Sequence, residues 1–451
     1  MSHRLFGTDG VRGKAGRYPL DHETVARLGA ALVRAMRPAG EPERTLHFAM
    51  GRDTRESGEW IERELARGVH SAGAYITSAG VIPTPAIAYV TRAMGFDAGL
   101  VISASHNPFD DNGIKVFSGK GEKFTETLER EVEAIIHDTS WSVNGNANAP
   151  VDRTDVIDAY IAHARLAFPE PGRLGRFKIA VDTANGATTT VAPRLFDELG
   201  FDVVLLSASP DGRNINRDCG STHPEQLSAA VREQGCRMGV AFDGDGDRAI
   251  FADASGRIVD GDAVLLMCAR QMQRTGRLNG NAIVATVMSN IGLELALKKL
   301  GVDLVRTKVG DKYVMEEMQN RDLSLGGEQS GHLIFSEHLF TGDGLITALS
   351  VLRTMAASGR ELADLANDLT TYPQVLLNVR VREKKDLAEI PEVAAVMTQV
   401  EEQLGSNGRL LVRYSGTEPL LRVMLEGQDL PQIDWWARQI VDAVNKAIGQ
   451  R

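Results

Sequence analysis

Short apolar runs alternate with helical patterns along this chain and end in glycine-rich polar loops, and this alternation constrains the fold more than any other feature. Leu46–Met50 leads into the polar loop Gly51–Arg55, and Ala98–Ile102 delivers the chain to Ser105. Between such runs, segments such as Thr24–Met36 carry apolar residues at helical spacing. Strands that alternate with helices form βαβ units with parallel or mixed sheets. We therefore predict an α/β fold.

Composition shifts divide the chain into three successive mixed α/β domains and a smaller C-terminal α+β domain. A polar, turn-rich stretch at 140–154 marks the first boundary, and 370–373 marks the last. We place the four domains at residues 1–153, 154–253, 254–370 and 371–451. The further helices that the patterns predict are 57–71, Val156–Leu166, 342–357 and Asp434–Ile448. The further strands are Phe177–Val181, Phe201–Leu206, Met238–Phe242, Ile283–Val287, Leu304–Thr307, Leu323–Leu325, Leu376–Val381 and Leu421–Leu425.

Charge and cysteine content exclude several classes of protein. The net charge is −10, from 50 basic and 60 acidic side chains, whereas a nucleic-acid-binding protein usually has a basic face. The three cysteines have no CxxC spacing, so we expect reduced thiols rather than a disulfide framework or a zinc site. The N-terminus lacks the apolar core of a signal peptide, and no apolar run reaches the roughly 20 residues of a membrane helix. We expect a cytoplasmic protein that binds neither nucleic acid nor membrane.

The strongest chemical signal is the acidic loop Asp243–Arg248 (DGDGDR). Its three carboxylates, separated only by glycines, put hard oxygen ligands on a tight loop, and such ligands suit Mg²⁺ or Ca²⁺. An EF-hand would need Gly at its sixth position and Glu at its twelfth, where this chain has Arg248 and Ala254. A solvated acidic turn explains the loop poorly, because neighbouring carboxylates repel one another without a cation. We therefore predict a divalent metal site, with Arg248 suited to a phosphate beyond the metal.

A second candidate is the segment Ser103–Pro108 (SASHNP), which follows a predicted strand. It puts the hydroxyl of Ser105 beside the imidazole of His106. A serine becomes a nucleophile next to a base or a metal, or a phosphoryl donor once it carries phosphate. Taken alone, the segment fits a serine that caps a turn equally well. Its continuation Asp111–Lys115 (DNGIK) adds a cation.

The third candidate is the loop Gly326–His332 (GGEQSGH), which follows a short apolar run. Glu328 and Ser330 are polar groups of the kind that bind the vicinal hydroxyls of a sugar. The alternative, a turn with a buried His332, stays open from this segment alone.

The fourth candidate is Arg413–Pro419 (RYSGTEP), with Arg422 just beyond it. Hydroxyls and backbone N–H groups suit phosphate, and arginines can grip it bidentately. The loop lacks the GxxxxGK[ST] pattern of a Walker A loop. Two arginines favour a phosphate site over a surface turn.

Three lesser segments pair glycine with a cation, and each of them taken singly is equally well explained as a turn with a solvated charge. They are Phe6–Gly13, Gly51–Arg55 and Lys308–Lys312.

Together the four main motifs resemble those of the α-D-phosphohexomutase superfamily, in the same order and spacing over essentially the whole chain. Within it, the chain most resembles the bacterial enzymes that interconvert glucosamine 6-phosphate and glucosamine 1-phosphate, on the route to UDP-N-acetylglucosamine. The features behind this closer resemblance are Phe6–Gly13, Pro83–Pro85, Asn214–Asn216, Cys219–Thr222, Thr286–Asn290, Gln329 and Thr341–Gly344. The resemblance implies four domains around a central cleft, each lending one loop.

The resemblance also implies a mechanism. Ser105 would be a phosphoserine, and Asp243, Asp245 and Asp247 would hold one Mg²⁺ together with its phosphate. Phospho-Ser105 would give its phosphoryl group to O1 of glucosamine 6-phosphate. The resulting glucosamine 1,6-bisphosphate, both intermediate and activator, would turn over in the cleft and return its 6-phosphoryl group to the serine. We expect His106 to position Ser105 rather than to act as its base.

The remaining site residues follow by motif. Arg12, Lys115 and His332 are candidates for proton transfer or charge stabilisation. The residues expected to bind substrate are Arg248, Lys308, Glu328, Ser330, Arg413, Ser415, Gly416, Thr417 and Arg422.

Three alternative functions are compatible with parts of this pattern. The nearest is a mutase for glucose or mannose phosphates, which differs in the third loop and its neighbours. A non-catalytic sugar-phosphate sensor would be expected to lose the serine or a carboxylate, and all are present. A phosphatase would result if water captured the phosphoserine. The protein partner is expected to be at most a second copy, giving a monomer or a homodimer.

Overall fold

The computed structural model describes residues 4–7, 9–37, 44–145, 151–415 and 419–450. Within these residues the chain forms four β-sheets, of seven, five, four and three strands. Two compact units are distinguished: one comprises residues 1–288 and 302–368, and the other comprises residues 289–301 and 369–451.

The seven-stranded sheet occupies the N-terminal third of the chain. Its strands are β1 (Phe6–Gly7), β2 (Gly10–Lys14), β3 (His47–Arg52), β4 (Tyr75–Val81), β5 (Ala98–Ile102), β6 (Asp111–Ser118) and β7 (Asp152–Arg153), in the order β1-β2-β6-β5-β3-β4-β7. Its helices are α1 (His22–Met36), α2 (Gly58–Ser71), α3 (Thr84–Ala93) and α4 (Glu126–His137). β3 runs parallel to β4 and β5, whereas β6 pairs antiparallel with β5. Every residue of β5 is buried, as expected for a central strand, and β5 ends three residues before Ser105.

The five-stranded sheet follows helix α5 (Ile157–Arg165). Its strands are β8 (Lys178–Asp182), β9 (Asp202–Leu206), β10 (Met238–Phe242), β11 (Ala249–Asp253) and β12 (Ile258–Val259), in the order β12-β11-β10-β8-β9, with helices α6 (Ala192–Glu198) and α7 (Glu225–Gln234). β8 pairs parallel with β9 and β10, and β11 returns antiparallel to β10. The turn between β10 and β11 is the acidic loop, so the sheet edge presents its carboxylates.

The four-stranded sheet has the order β14-β13-β15-β16. The elements of this part of the chain are α8 (Gly261–Arg274), β13 (Ala282–Thr286), α9 (Ile291–Lys299), β14 (Asp303–Thr307), α10 (Asp311–Asn320), β15 (Leu325–Gly327), β16 (Leu333–Phe335), α11 (Gly344–Ser358) and α12 (Leu362–Ala366). β15 begins two residues later than the predicted 323–325 and includes both glycines. A Cβ at Gly326 would lie 2.6 Å from Met318 Sδ, so helix α10 packs where only glycine fits.

The second unit has its own antiparallel sheet. Its elements are β17 (Gln374–Arg380), α13 (Pro391–Leu404), β18 (Arg409–Tyr414), β19 (Leu420–Glu426) and α14 (Leu430–Ile448), with strand order β17-β19-β18. Helix α9 belongs to this unit: Ile291 N donates to Glu426 Oε2 at 3.0 Å, and Asn290 Nδ2 donates to the backbone oxygen of Tyr372 at 2.9 Å. β18 extends through Tyr414, so Arg413 lies on a strand and not in a loop as the sequence suggested.

The α/β prediction is confirmed. The seven-, five- and four-stranded sheets are mixed, and the antiparallel three-stranded sheet forms an α+β arrangement with its helices. The four predicted domain ranges remain a prediction. The three cysteines are free and buried. Among the described helices, none combines the length with the apolar character that crossing a bilayer requires.

Candidate functional site

Ser105 is held in a strained turn directly after β5. Its φ is +53°, in the left-handed region that a residue with a side chain rarely adopts, and its side chain is buried. Its Oγ donates to Asp243 Oδ2 at 2.5 Å and lies 3.2 Å from His106 Nδ1. The nucleophile candidate and the acidic loop are thus in direct contact, although they lie 138 residues apart in the sequence.

Arg55 fixes this turn. Its side chain is fully buried, and its Nε donates to Asp53 Oδ2 at 2.8 Å. The remaining guanidinium N–H groups donate to the backbone oxygens of Ser105, Asn107, Pro108 and Asp111. Asn216 Nδ2 adds a second donor to the Ser105 oxygen at 2.9 Å. Because an unsatisfied buried carbonyl costs free energy, these donors stabilise an otherwise unfavourable backbone conformation.

The three aspartates of the acidic loop converge. One carboxylate oxygen from each of Asp243, Asp245 and Asp247 lies within 4.8 Å of the other two, and all three residues are buried. Asp245 Oδ1 and Asp247 Oδ1 are buried atoms without a hydrogen-bond partner. Buried carboxylate oxygens without partners are costly, and hard oxygen ligands suit a small divalent cation. The residues therefore fit a metal ion, as the sequence predicted.

Lys115 lies behind these carboxylates. Its Nζ donates to Asp245 Oδ2 at 2.7 Å and Asp247 Oδ2 at 3.0 Å, and it lies 3.2 Å from Asp9 Oδ2. Burial alone would lower the pKa of Lys115, but these carboxylates outweigh it and raise the pKa well above its ordinary value. Lys115 is therefore a fixed positive charge. It is absent from the wall of the cavity described below.

Asp243 and Asp247 differ in charge environment. Burial, then the neighbouring Asp247 and Asp245, raise the pKa of Asp243 well above its ordinary range. Burial would likewise raise the pKa of Asp247, but Lys115, supported by Arg248, outweighs it and holds that pKa well below its ordinary range. One carboxylate of the set is thus short of positive charge, which a bound cation would supply.

A cavity of about 600 Å³ opens beside the acidic loop. It is lined by Arg4, Leu5, Phe6, Gly7, Asp9, Gly10, Arg12, His106, Asp247, Arg248, Val309, Gly310, Asp311, Glu328 and His332. Arg12 Nε and Arg248 Nε are buried and make no hydrogen bond, so each of these arginines has a donor to offer. A cavity with spare guanidinium donors beside a carboxylate cluster suits a ligand that carries both phosphate and hydroxyl groups.

The two histidines on the cavity wall differ. Burial, then Arg248 and Arg12, lower the pKa of His106 to about 4, so this imidazole is neutral near pH 7. Burial would lower the pKa of His332 as well, but Asp247 outweighs it and raises that pKa. Against this, Gly342 N donates to His332 Nε2 at 3.1 Å, which requires a free lone pair on that atom. We assign the neutral tautomer with Nδ1 towards Asp247, 3.5 Å away, because Asp247 is already paired with Lys115.

The third loop reaches the cavity through Glu328. Gly310 N donates to Glu328 Oε1 at 3.2 Å, and Ser330 Oγ lies 3.5 Å from Glu328 Oε2 on the exposed side. Lys308 is exposed in the loop between β14 and α10 and does not line the cavity. The structure thus brings together Ser105, the three aspartates, Arg12, His106, Arg248, Glu328 and His332, and leaves Lys308 outside.

The predicted phosphate-binding residues of the second unit form a cluster of their own. Arg413 on β18 lies directly opposite Arg422 on β19. Burial, followed by Arg422, lowers the pKa of Arg413. Ser415 is buried, and Lys384 Nζ donates to its backbone oxygen at 2.6 Å. Like charges opposite each other in a sheet repel, and an anion between them would relieve this repulsion. Gly416 and Thr417 lie outside the described residues.

Several residues that support the site have no local signature in the sequence. Arg55 was noted only as part of a glycine–cation turn, and Asn216 only as part of a resemblance. Thr84, whose Oγ1 donates to Asp245 Oδ2 at 2.5 Å, was noted in the same way. Lys123 and Lys384 were not singled out. Their partners lie far away in the sequence, so no local spacing could have revealed them.

Comparison with known proteins gives matches over nearly the whole chain. Models of phosphoglucomutase/phosphomannomutase match as alpha/beta/alpha domain I at residues 3–142, domain II at 158–256, domain III at 260–372 and the C-terminal domain at 376–443. A phosphoglucosamine mutase of Solibacter usitatus is 48% identical over 454 residues, covering 100% of both chains. One of Geotalea daltonii is 46% identical over 450 residues, covering 99% of this chain and 98% of that protein.

A solved structure of low sequence identity has the same fold. It is the Aspergillus fumigatus N-acetylphosphoglucosamine mutase in complex with GlcNAc-6P and magnesium, with a TM-score of 0.68 at 17% identity, covering 99% of this chain and 96% of that one.

Proposed function

The chain belongs to the phosphoglucomutase/phosphomannomutase family, and we propose that within this family it acts as a phosphoglucosamine mutase, interconverting glucosamine 6-phosphate and glucosamine 1-phosphate. The substrate assignment rests on full-length relatives of that name at 46% and 48% identity. The chemistry rests on one observation above all: Ser105 Oγ, in a strained turn, contacts Asp243 at the edge of an arginine-lined cavity.

Ser105 carries the phosphoryl group in this proposal. The O1 hydroxyl of glucosamine 6-phosphate attacks the phosphorus of phospho-Ser105, and the bond between phosphorus and Oγ breaks. The O1 proton passes to a basic group on the cavity wall, and Oγ takes up a proton. The product, glucosamine 1,6-bisphosphate, turns over in the cavity and returns its 6-phosphoryl group to Oγ by the same steps, which leaves glucosamine 1-phosphate.

The three aspartates would hold one Mg²⁺ together with the phosphate on Ser105. When bound, the ion supplies positive charge that stabilises the transferring phosphoryl group. Arg12 and Arg248 contribute their spare guanidinium donors to the same group, and Lys115 balances the carboxylates from behind. His106, neutral near pH 7, orients Ser105 from 3.2 Å away. Phosphoryl transfer needs little more than this positioning and charge neutralisation.

Glu328 and Ser330 bind sugar hydroxyls, and Arg413, Ser415 and Arg422 bind the phosphate that is not reacting. A single binding site for that phosphate suffices, because either orientation of the bisphosphate presents one phosphate to it. Lys308, Gly416 and Thr417 remain proposed contacts of the substrate. A monomer or homodimer remains the expected assembly.

Rates on glucosamine, glucose and mannose 6-phosphates, measured side by side, test the substrate assignment. We expect kcat/KM to be highest for glucosamine 6-phosphate by at least about tenfold. Equal or higher kcat/KM on glucose or mannose 6-phosphate would contradict the assignment within the family and favour a phosphoglucomutase or phosphomannomutase.

A further inference from the structure

Lys123 lies between Asp9 and Asp311, two residues that line the cavity. It follows the end of β6, and its side chain is only 11% exposed. Its Nζ donates to Asp9 Oδ1 and to Asp311 Oδ2. Asp9 belongs to the N-terminal β-hairpin, and Asp311 is the first residue of α10. A lysine held by two carboxylates in so shielded a position is a defined part of the site and not a solvated surface charge.

Lys123 extends a chain of alternating charges that begins at the acidic loop. Asp247 pairs with Lys115 at 3.0 Å, and Lys115 lies 3.2 Å from Asp9. Asp9 in turn pairs with Lys123, which pairs with Asp311. Each interior member therefore has an opposite charge on both sides. Burial alone would raise the pKa of Asp9, but Lys115, Lys123 and Arg12 hold it well below its ordinary value, so Asp9 is a full negative charge.

This chain of alternating charges determines which carboxylates the ammonium group of Lys115 contacts. Three carboxylates compete for its ammonium group, and Nζ is nearer to Asp245, at 2.7 Å, than to Asp9, at 3.2 Å. Asp9 can be the weaker competitor because Lys123 and Arg12 already neutralise its charge. Without Lys123, Asp9 would attract Lys115 more strongly and draw it from the acidic loop, since shielded charges interact more strongly than charges in water.

We propose that Lys123 is a positioning residue that, by neutralising Asp9, keeps Lys115 on the metal-binding carboxylates and so sets both the affinity of the acidic loop for a divalent cation and the rate of phosphoryl transfer. The part that concerns turnover rests on the proposed function, whereas the part that concerns metal affinity does not.

The two effects of losing Lys123 have opposite signs. Asp245 and Asp247 would lose part of their compensation by Lys115, so a divalent cation should bind them more tightly. Turnover should fall, because Lys115 would no longer balance the charge of the reaction centre. A lysine that merely held the fold together would, when removed, weaken metal binding and turnover alike.

Binding of Mn²⁺ to the free full-length enzyme, followed by electron paramagnetic resonance, tests the metal effect without substrate. Lys123→Met should lower the Kd for Mn²⁺ about threefold to tenfold, since the shielded positive charge of Lys115 has moved away from the acidic loop. Lys123→Arg should restore the parent Kd to within about twofold, because the charge returns. Lys120→Met removes an exposed lysine of the turn that precedes Lys123 and should leave the Kd unchanged.

A second substitution isolates the role of Asp9. If the effect passes through the uncompensated charge of Asp9, Asp9→Asn added to Lys123→Met should return the Kd for Mn²⁺ towards the parent value. On glucosamine 6-phosphate, Lys123→Met should lower kcat about tenfold with a smaller change in KM.

Equal or weaker Mn²⁺ binding by Lys123→Met would overturn the proposal, as would a double variant that binds no closer to the parent than the single one. Lys123→Gln serves if the methionine variant does not fold, and circular dichroism establishes the fold of each variant. If the parent protein had no activity on glucosamine 6-phosphate, the proposed function would fail while the Mn²⁺ results would still decide this inference.

Discussion

The two units of the chain each contain a charge cluster, and the two clusters have opposite signs. In the first unit, three buried carboxylates converge at the acidic loop, and one of them lacks sufficient positive charge. In the second unit, Arg413 and Arg422 lie opposite each other on neighbouring strands, so two positive charges are neighbours. The sign of each cluster indicates the ligand that suits it: a cation for the first cluster and an anion for the second.

The clusters also differ in how deeply the fold buries them. The acidic loop is tied to Ser105, Thr84 and Lys115 by hydrogen bonds of 2.5 to 2.7 Å. Arg413 and Arg422 face each other in the strand register, and their side chains are only partly buried. We infer that the first cluster is preorganised for chemistry, whereas the second grips a group that does not react. The predictions below test this contrast, starting from the largest effect.

Removal of the nucleophile should affect the first cluster most. Ser105→Ala should lower mutase turnover by a factor of about 10³ or more, because no group is left to carry the phosphoryl. Steady-state kinetics on glucosamine 6-phosphate would measure this, with the exposed Ser140→Ala as a control expected to behave like the parent. A variant with turnover within a few-fold of the parent would remove Ser105 from the mechanism.

A change to a metal-ligand candidate should reduce both rate and metal response. Asp245→Asn keeps the shape of the side chain but removes a charge, so kcat should fall about a hundredfold and more Mg²⁺ should be needed for half-maximal rate. Titration of Mg²⁺ at saturating substrate measures both quantities, and Asp202→Asn is an exposed control on β9. An unchanged Mg²⁺ requirement would contradict the metal assignment for Asp245.

Asp343 is a buried carboxylate that accepts hydrogen bonds from neutral groups, and it contrasts with Asp247, which pairs with Lys115. Asp343 accepts from Tyr160 Oη at 2.9 Å and Ile346 N at 3.0 Å, and burial raises its pKa from 3.8 to about 6. Since the folded-state pKa is the higher, the stability that Asp343 contributes is present below pH 4 and is lost as the pH rises through 6.

Asp343→Asn should therefore gain stability relative to the parent as the pH rises. The difference in the free energy of unfolding between variant and parent should shift by about 2 kcal/mol in favour of the variant between pH 4 and pH 7. Urea unfolding at both pH values would measure the shift, with the exposed Asp364→Asn as the control on the neighbouring helix α12. A difference independent of pH would show that folding does not shift the pKa of Asp343.

The smallest expected effect concerns the second cluster, and it should appear in KM rather than kcat. Arg413→Gln and Arg422→Gln should each raise KM for glucosamine 6-phosphate about tenfold, because each removes one charged grip on the phosphate. Arg438→Gln, an exposed arginine on α14 of the same unit, is the matched control. If KM stayed unchanged in both variants, the proposal that these arginines bind the phosphate would be wrong. The second cluster would then have no assigned role to compare with that of the first.

Sequence patterns predicted the chemistry of the site better than its supporting contacts. The acidic loop and Ser105 were identified because glycine spacing and residue type are local properties. Arg55, Thr84 and Lys123 act on partners in other segments, which only the strand order brings close. The position of the strand 325–327 differs from the prediction because its two glycines suggest a loop, whereas Gly326 is required by the close packing of Met318 and Gly327 by the close approach of the His332 backbone oxygen.

Phosphate on Ser105 is the central claim, and its transfer can be followed directly. The purified protein is labelled with radioactive phosphate from glucose 1,6-bisphosphate, and the labelled peptide is identified by mass spectrometry. We predict one phosphate on Ser105 and its transfer to the sugar within the time of one turnover after addition of unlabelled glucosamine 6-phosphate. A catalytically active preparation with no phosphate on Ser105, or with label that stays on the protein through many turnovers, would contradict the account.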